Sequence, residues 1–68
     1  MNVNPLMHPV KRKIIKMLRK EDSAFFGEIV MNLKKSQGKT LYHLLDLKSR
    51  GIIYKDSDGG KYKLVSEN

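Results

Sequence analysis

The chain contains no cysteine, and at 68 residues it can build only one small hydrophobic core. Disulfide bonds and thiolate metal sites are therefore excluded as sources of stability. A domain of this size buries only about 60% of the surface that its unfolded chain exposes. We expect a single domain over residues 1–68, with an N-terminal extension over 1–8 and a tail over 66–68.

Apolar residues recur at helical spacing in the first half of the chain, where they predict two helices. The first is predicted from Pro9 to Lys20, because proline suits the opening turn of a helix. The second is predicted from Phe26 to Leu33, since its apolar positions form one stripe. Residues 24–26 would also fit a very short strand, and the sequence leaves that alternative open.

A third helix is predicted from Gln37 to Arg50, with Ser36 as its N-cap and Gly51 as the left-handed residue after its end. Gly38 lies in the turn that leads into this helix, where a positive φ or a close approach between helices would suit a glycine. The side expected to face the core contains Thr40, Leu44 and Leu47, with His43 beside them.

Two β-like runs, Ile52 to Lys55 and Lys61 to Val65, follow the third helix. The segment between them, residues 56–60, reads Asp-Ser-Asp-Gly-Gly and is rich in residues that favour turns. The two runs are therefore predicted to form a hairpin. The predicted fold class is α+β and mainly α, with three helices followed by a two-stranded β-hairpin.

The chain carries 14 lysine and arginine residues against 7 aspartate and glutamate residues, and the resulting net charge of +7 predicts attraction to a polyanion. Charge alone would fit nucleic acid, an anionic membrane or an acidic protein. The cations of the first helix fit either a solvated face or a second phosphate-binding strip. The apolar runs are far shorter than the ~20 residues of a membrane span, and the first residues lack a signal-peptide pattern. We therefore expect a cytoplasmic protein with no membrane partner.

Short motifs follow one another along the chain. They are His8-Pro9, Phe26-Gly27-Glu28-Ile29, Ser36-Gln37-Gly38, Tyr42-His43-Leu44-Leu45-Asp46-Leu47 and Gly51-Ile52-Ile53. Together they resemble the winged helix-turn-helix transcriptional regulators of the ArsR/MarR-like superfamily of bacteria and archaea. The resemblance implies a winged-helix domain that binds double-stranded DNA, in a sequence-specific or semi-specific way, as a small transcriptional regulator. The metal-sensing cysteines of ArsR-type proteins are missing, so we expect no metal and no other cofactor.

The resemblance and the predicted facing of the third helix together indicate which side chains contact DNA. A helix fits the major groove, where side chains reach base edges while flanking cations hold phosphates. The residues expected there are Lys34, Lys35, Ser36, Gln37, Lys39, Leu41, Tyr42, Leu45 and Lys48. Gln37 can hydrogen-bond adenine, Lys39 can reach guanine or a phosphate, and Tyr42 can donate to a phosphate or contact a thymine methyl group.

Three lysines lie on or beside the predicted hairpin, which would form the wing of the fold. Lys55, Lys61 and Lys63 are expected to contact phosphates. Strand alternation places Lys61 and Lys63 on one face, opposite Tyr62 and Leu64, which should pack inward. The alternative is a solvated strand edge that its lysines protect from aggregation.

Leu41 and Leu45 lie one turn apart beside Tyr42 on the presumed DNA face, where regulators of this type more often place polar residues. They could contact thymine methyl groups, pack against a partner protein, or enter the core if the helix is rotated about its axis. The second possibility corresponds to a winged helix that binds proteins within a larger complex. An RNA-binding winged helix is equally compatible with the charge.

Regulators of this type usually dimerise through an additional helix. Too few residues precede the first predicted helix or follow Val65 to form one. We therefore expect a monomer or a weak homodimer, formed through Met1 to Met7 or through the surface of Met17 and Met31.

His8 and His43 are the two histidines, and neither has a cysteine or an acidic cluster beside it. A metal site needs three or four converging ligands, so we expect none here. His43 is expected to pack beside the core with one ring nitrogen hydrogen-bonded. The sequence shows neither a supported Ser/His/Asp arrangement nor a phosphate-cradling glycine loop, and so small a core leaves little room for a substrate pocket. We therefore do not expect an enzyme.

Overall fold

The computed structural model describes residues 8–57 and 59–65. Within these ranges the chain forms three helices, α1 (Pro9–Glu21), α2 (Phe26–Leu33) and α3 (Gln37–Ser49), followed by the strands β1 (Ile53–Lys55) and β2 (Tyr62–Leu64). This order confirms the predicted fold class. Residues 1–7, residue 58 and residues 66–68 lie outside the described part, and with them most of the predicted N-terminal extension, one turn residue and the tail.

Side-chain caps satisfy one of the first backbone N–H groups of α1 and of α3, whereas at α2 a glutamate binds the N–H of the residue before the helix. The N–H of Val10 donates to Nδ1 of His8 at 3.1 Å, and the N–H of Phe25 donates to Oε1 of Glu28 at 2.9 Å. The predicted N-cap of α3 is confirmed, since Oγ of Ser36 accepts a hydrogen bond from the N–H of Lys39 at 3.2 Å. Such caps typically stabilise a helix by about 1 kcal/mol.

The core lies where all three helices meet the hairpin. Its buried apolar residues are Val10, Ile14, Ile15, Leu18, Ala24, Ile29, Leu33, Leu44, Leu47, Ile53 and Tyr62. Thr40 is fully buried as well, and its hydroxyl donates to the carbonyl of Ser36 at 2.9 Å, so this polar group has a partner. Leu44 and Leu47 therefore face inward as predicted, and they pack α3 against α1, α2 and β1.

The two strands pair in an antiparallel register. The Cα partners are Ile53 with Leu64, Tyr54 with Lys63 and Lys55 with Tyr62. The core side of the hairpin carries Ile53 and Tyr62, while Leu64 packs against the core edge. Ala24 adds a short bridge, because its N–H and carbonyl both hydrogen-bond to Tyr62, at 3.1 Å and 2.8 Å. The strand considered for residues 24–26 is thus reduced to Ala24, since Phe26 already begins α2.

Gly38 does not have the role that the sequence suggested. It lies inside the first turn of α3, and a Cβ added there would meet nothing within 4 Å among the described residues. The turn before α3 obtains its left-handed residue from Lys34 instead, with a φ of 57°. Because Lys34 already ends α2 and redirects the chain, α3 starts at Gln37 without any need for glycine.

Leu44 and Leu45 provide a test of the rotation of α3. Leu44 is fully buried whereas Leu45 is 51% exposed, although the two are neighbours of identical chemistry. We expect Leu44→Ala to lower the free energy of unfolding by about 2–5 kcal/mol, which would leave so small a domain largely unfolded at room temperature. Leu45→Ala should change it by less than about 1 kcal/mol. Urea unfolding followed by circular dichroism measures both, and equal losses would contradict the observed rotation.

Candidate nucleic-acid interface

The outward face of α3 is open along its length. Leu41, Tyr42 and Leu45 are 41%, 66% and 51% exposed, and we call them the apolar stripe. This exposure rules out the possibility that the two leucines enter the core. Gly38 precedes the stripe by one helical turn on the same face, because residues three, four and seven apart lie together on a helix.

Polar and charged candidates surround the apolar stripe. Gln37, Lys39 and Lys48 are exposed at its borders on α3. Lys34 and Lys35 are exposed in the turn that leads into the helix. The structure therefore brings these predicted side chains together at the start and edges of one surface. Ser36 is exposed too, but its hydroxyl caps the helix and so positions the first turn.

Asp46 is the one acidic residue of α3, and two cations neutralise it. Its Oδ2 lies 2.8 Å from Nε of Arg50 and 3.2 Å from Nζ of Lys11. Hydrogen bonds from Arg50 and then Lys11 lower the pKa of Asp46 below its ordinary value. The carboxylate thus remains charged and paired, which leaves the positive charge of the surrounding lysines unopposed along α3.

Lys11 belongs neither to a solvated face nor to a phosphate-binding strip, the two roles that the sequence suggested for the cations of α1. Its side chain is only 12% exposed, and it joins α1 to α3 through Asp46. Its Nζ also lies 5.8 Å from the centre of the Tyr42 ring. A pair separated by 35 positions carries no local sequence signal, so helical periodicity alone could not identify it.

The three wing lysines are arranged differently from one another. Nζ of Lys55 lies 5.8 Å from the Tyr62 ring centre, Nζ of Lys61 lies 5.0 Å from the Phe25 ring centre, and Nζ of Lys63 lies 3.5 Å from Oδ2 of Asp56. The strand register places Lys55 on the face of Tyr62, whereas Lys63 lies opposite Tyr54 on the other face. The wing thus presents its lysines in two directions, and an aspartate partly neutralises Lys63.

His43 is buried between α1 and α3 with aromatic rings on two sides. Its ring centre lies 4.4 Å from that of His8 and 5.2 Å from that of Tyr42. The predicted hydrogen bond is not found at Nδ1, which is buried without a partner among the described residues. Burial, then the positive charge of Lys11 and the proximity of His8, lower the pKa of His43, and Asp46 opposes this in part.

The described residues also bear on three other kinds of feature, namely a metal site, a membrane span and a dimer contact. In 8–57 and 59–65, no group of three or more His, Asp or Glu side chains is placed to hold a metal ion. The helices of the same ranges are too short and too polar to cross a membrane. Of the two methionines suggested for a dimer contact, Met31 is 79% exposed on α2, whereas Met17 is partly buried against the core.

Comparisons with known proteins agree with this geometry. The family described as bacterial regulatory protein, arsR family, matches residues 8–55, which contain the three helices and β1. Among solved structures, the fold is similar to that of the Zβ domain of human DAI, whose solution structure was reported with its binding modes to B- and Z-DNA. The TM-score is 0.81 over 97% of each chain, with 15% sequence identity. A search of curated proteins gives no match.

The buried His43 makes stability depend on pH. Its pKa in the folded protein is below the ordinary 6.5, so the unfolded chain binds a proton at a higher pH than the folded chain. As far as His43 is concerned, the free energy of unfolding should therefore be highest above about pH 6.5. It should fall as the pH decreases from there through the pKa of His43 in the folded protein. We expect urea unfolding between about pH 7.5 and 5.5 to show this slope.

His43→Leu should flatten that slope, because it removes the titrating ring while keeping an apolar side chain in the same place. Over this range the aspartates and glutamates stay ionised and contribute little. A slope in the variant equal to that of the unmodified protein would assign the effect to another group.

Proposed function

Since the chain belongs to the arsR family of bacterial regulatory proteins, we propose that its α3 reads the major groove of double-stranded DNA while its wing lysines bind phosphates. Membership confirms the resemblance found in the motifs and makes the chain a winged helix-turn-helix, DNA-binding transcription regulator. The human Zβ domain of similar fold, which binds B- and Z-DNA, supports the same assignment.

The observation that carries the proposal is the open, cation-bordered face of α3. Packing against α1, α2 and β1 uses only one side of this helix. The other side is exposed from Gln37 to Ser49 apart from the paired Asp46. An α-helix with such a face fits the major groove of B-DNA, and lysines at its borders can neutralise phosphates on either side.

Each predicted contact residue has a role that its chemistry allows. The amide of Gln37 can form two hydrogen bonds with adenine, which would contribute about 1–3 kcal/mol of discrimination. Lys39 and Lys48 border the groove and can reach phosphates or, for Lys39, a guanine. Lys34 and Lys35 can bind phosphates before α3, and Lys55, Lys61 and Lys63 can bind them from the wing.

Gly38 supports close approach of DNA to the start of α3. Glycine in the middle of a helix costs about 0.5–1 kcal/mol relative to alanine, which is an upper bound for Gly38 in the first turn of α3. Neither a positive φ nor a neighbouring atom within 4 Å requires glycine here among the described residues. The same is true of Gly27 on α2, and Gly38 differs from it in lying on the outward face of α3. A side chain at this position would project from the outward face toward the proposed ligand. We infer that Gly38 keeps that space free.

Lys39→Glu tests the placement of α3. Reversal of this charge should weaken binding of a fluorescent random-sequence DNA duplex at least about tenfold, because a charge-assisted contact is lost and repulsion is added. The fold should persist, since glutamate three residues after Ser36 completes a capping box. Lys16→Glu is the matched control, because Lys16 is exposed on α1 and the change in net charge is the same.

The same titrations at about 50 and about 200 mM salt, with duplex RNA alongside, discriminate between the candidate functions. Phosphate binding makes the affinity fall steeply with salt. Equal losses for the two lysine variants would contradict the α3 assignment. Preference for RNA would favour an RNA-binding winged helix, and the absence of binding at low salt would favour a protein partner on the apolar stripe.

Gly38→Ala should separate stability from binding. We expect it to raise the free energy of unfolding by at most about 1 kcal/mol, since Gly38 lies in the first turn. It should weaken DNA binding several-fold, because the added methyl group occupies the outward face. Gly27→Ala is a close control, since Gly27 is the second residue of α2 as Gly38 is of α3, with equally open space around it. It should stabilise similarly and leave affinity unchanged. Full affinity of the Gly38 variant would show that DNA does not approach this turn.

A further inference from the structure

The centre of the outward face of α3 is unusually poor in hydrogen-bonding groups for a surface that reads bases. Leu41 and Leu45 lie there with 41% and 51% of their surface exposed, and Gly38 contributes no side chain. Ser49, farther along the same face, donates its hydroxyl to the carbonyl of Asp46 at 2.8 Å. Tyr42 is 66% exposed, and its hydroxyl is therefore the principal polar group in the middle of this surface among the described residues.

Leucine side chains restrict what they can contact in a major groove. Base edges there present hydrogen-bond donors and acceptors, and burying these against an apolar side chain leaves them unsatisfied. The exception is the C5-methyl group of thymine, which projects into the groove and is apolar. On the basis of the proposed function, we propose that the two leucines of the apolar stripe, Leu41 and Leu45, recognise thymine methyl groups. The protein would then prefer A·T-rich sites that place thymines against these two side chains.

The spacing of the two leucines fits this assignment. Residues four apart on a helix are separated by about 6 Å along its axis. Two base-pair steps of a duplex span about 6.8 Å. A helix lying along the groove would therefore place Leu41 and Leu45 over methyl groups about two base pairs apart. Gln37 lies one turn before Leu41, where its amide can bind adenine, and this further favours A·T pairs.

The charge around the apolar stripe favours DNA over an apolar protein surface as its occupant. Lys39 and Lys48 border it, and Asp46 is already neutralised by Lys11 and Arg50. An apolar centre between unopposed cations is complementary to a groove floor lined with methyl groups between two rows of phosphates. The central contacts would then supply specificity, and the lysines would supply affinity for any sequence.

Replacing thymidine by deoxyuridine tests the proposal, because it removes the methyl group and leaves every hydrogen-bonding group in place. We would titrate the protein with an alternating adenine–thymine duplex and with the same duplex containing deoxyuridine throughout. Burial of one methyl group corresponds to about fourfold in affinity, so loss of two should weaken binding on the order of tenfold. The double variant Leu41→Ala/Leu45→Ala, with both changes at exposed positions, should bind the two duplexes equally.

Equal binding of both duplexes by the unmodified protein would overturn the proposal while leaving DNA binding intact. A methyl preference that persists in the double variant would overturn it too, since the preference would then arise from the shape of the duplex. Failure to bind either duplex at low salt would instead reject the proposed function. Circular dichroism of the double variant should show that its helices are retained, so that a lost preference reports the missing leucines.

Discussion

Leu44 and Leu47, both fully buried, hold α3 against its neighbours and determine its rotation about its own axis. The rotation decides which side chains are left for a ligand, because Leu41, Tyr42 and Leu45 must then point outward. The inward residues cannot change side without exposing Leu44 and Leu47 to water. The character of the interface is thus a consequence of core packing, and the buried Thr40 is tolerated because its hydroxyl bonds to the chain before α3.

Ion pairs around Asp46 determine the charge of the surface that core packing leaves exposed. Lys11 and Arg50 both contact Asp46, so the only carboxylate of α3 does not oppose the lysines beside it. The same region contains the contact between the tilted rings of His8 and His43. His8 caps α1 through Nδ1, and Lys11 reaches across to α3, so the start of α1 and the middle of α3 are joined at one place. An exposed partner such as Arg50 stabilises little, but together with the largely buried Lys11 it sets the charge of the interface.

Affinity and specificity come from different parts of this surface under the proposed function. Lysines in the turn, on α3 and on the wing bind phosphates, which are the same in every sequence. The apolar stripe and Gln37 face the groove floor, where bases differ. A single winged helix offers few such contacts, so its discrimination depends on how closely α3 approaches. The open space at Gly38 permits a close approach, and apolar contacts of Leu41 and Leu45 with bases depend on it.

The helices, the hairpin and the family could be predicted from the sequence, because their signals act over a few residues. Pro9 and Ser36 mark helix starts, Gly51 ends α3 with a φ of 75°, and apolar spacing identifies the core face. Only the tertiary structure decided the Lys11–Asp46 pair, the ring contact between His8 and His43 and the bridge of Ala24 to Tyr62. These contacts join residues more than thirty positions apart, and they depend on how α1 crosses the other elements. The open space at Gly38 was likewise decided by the tertiary structure, since it depends on the rotation of α3 that the buried Leu44 and Leu47 set.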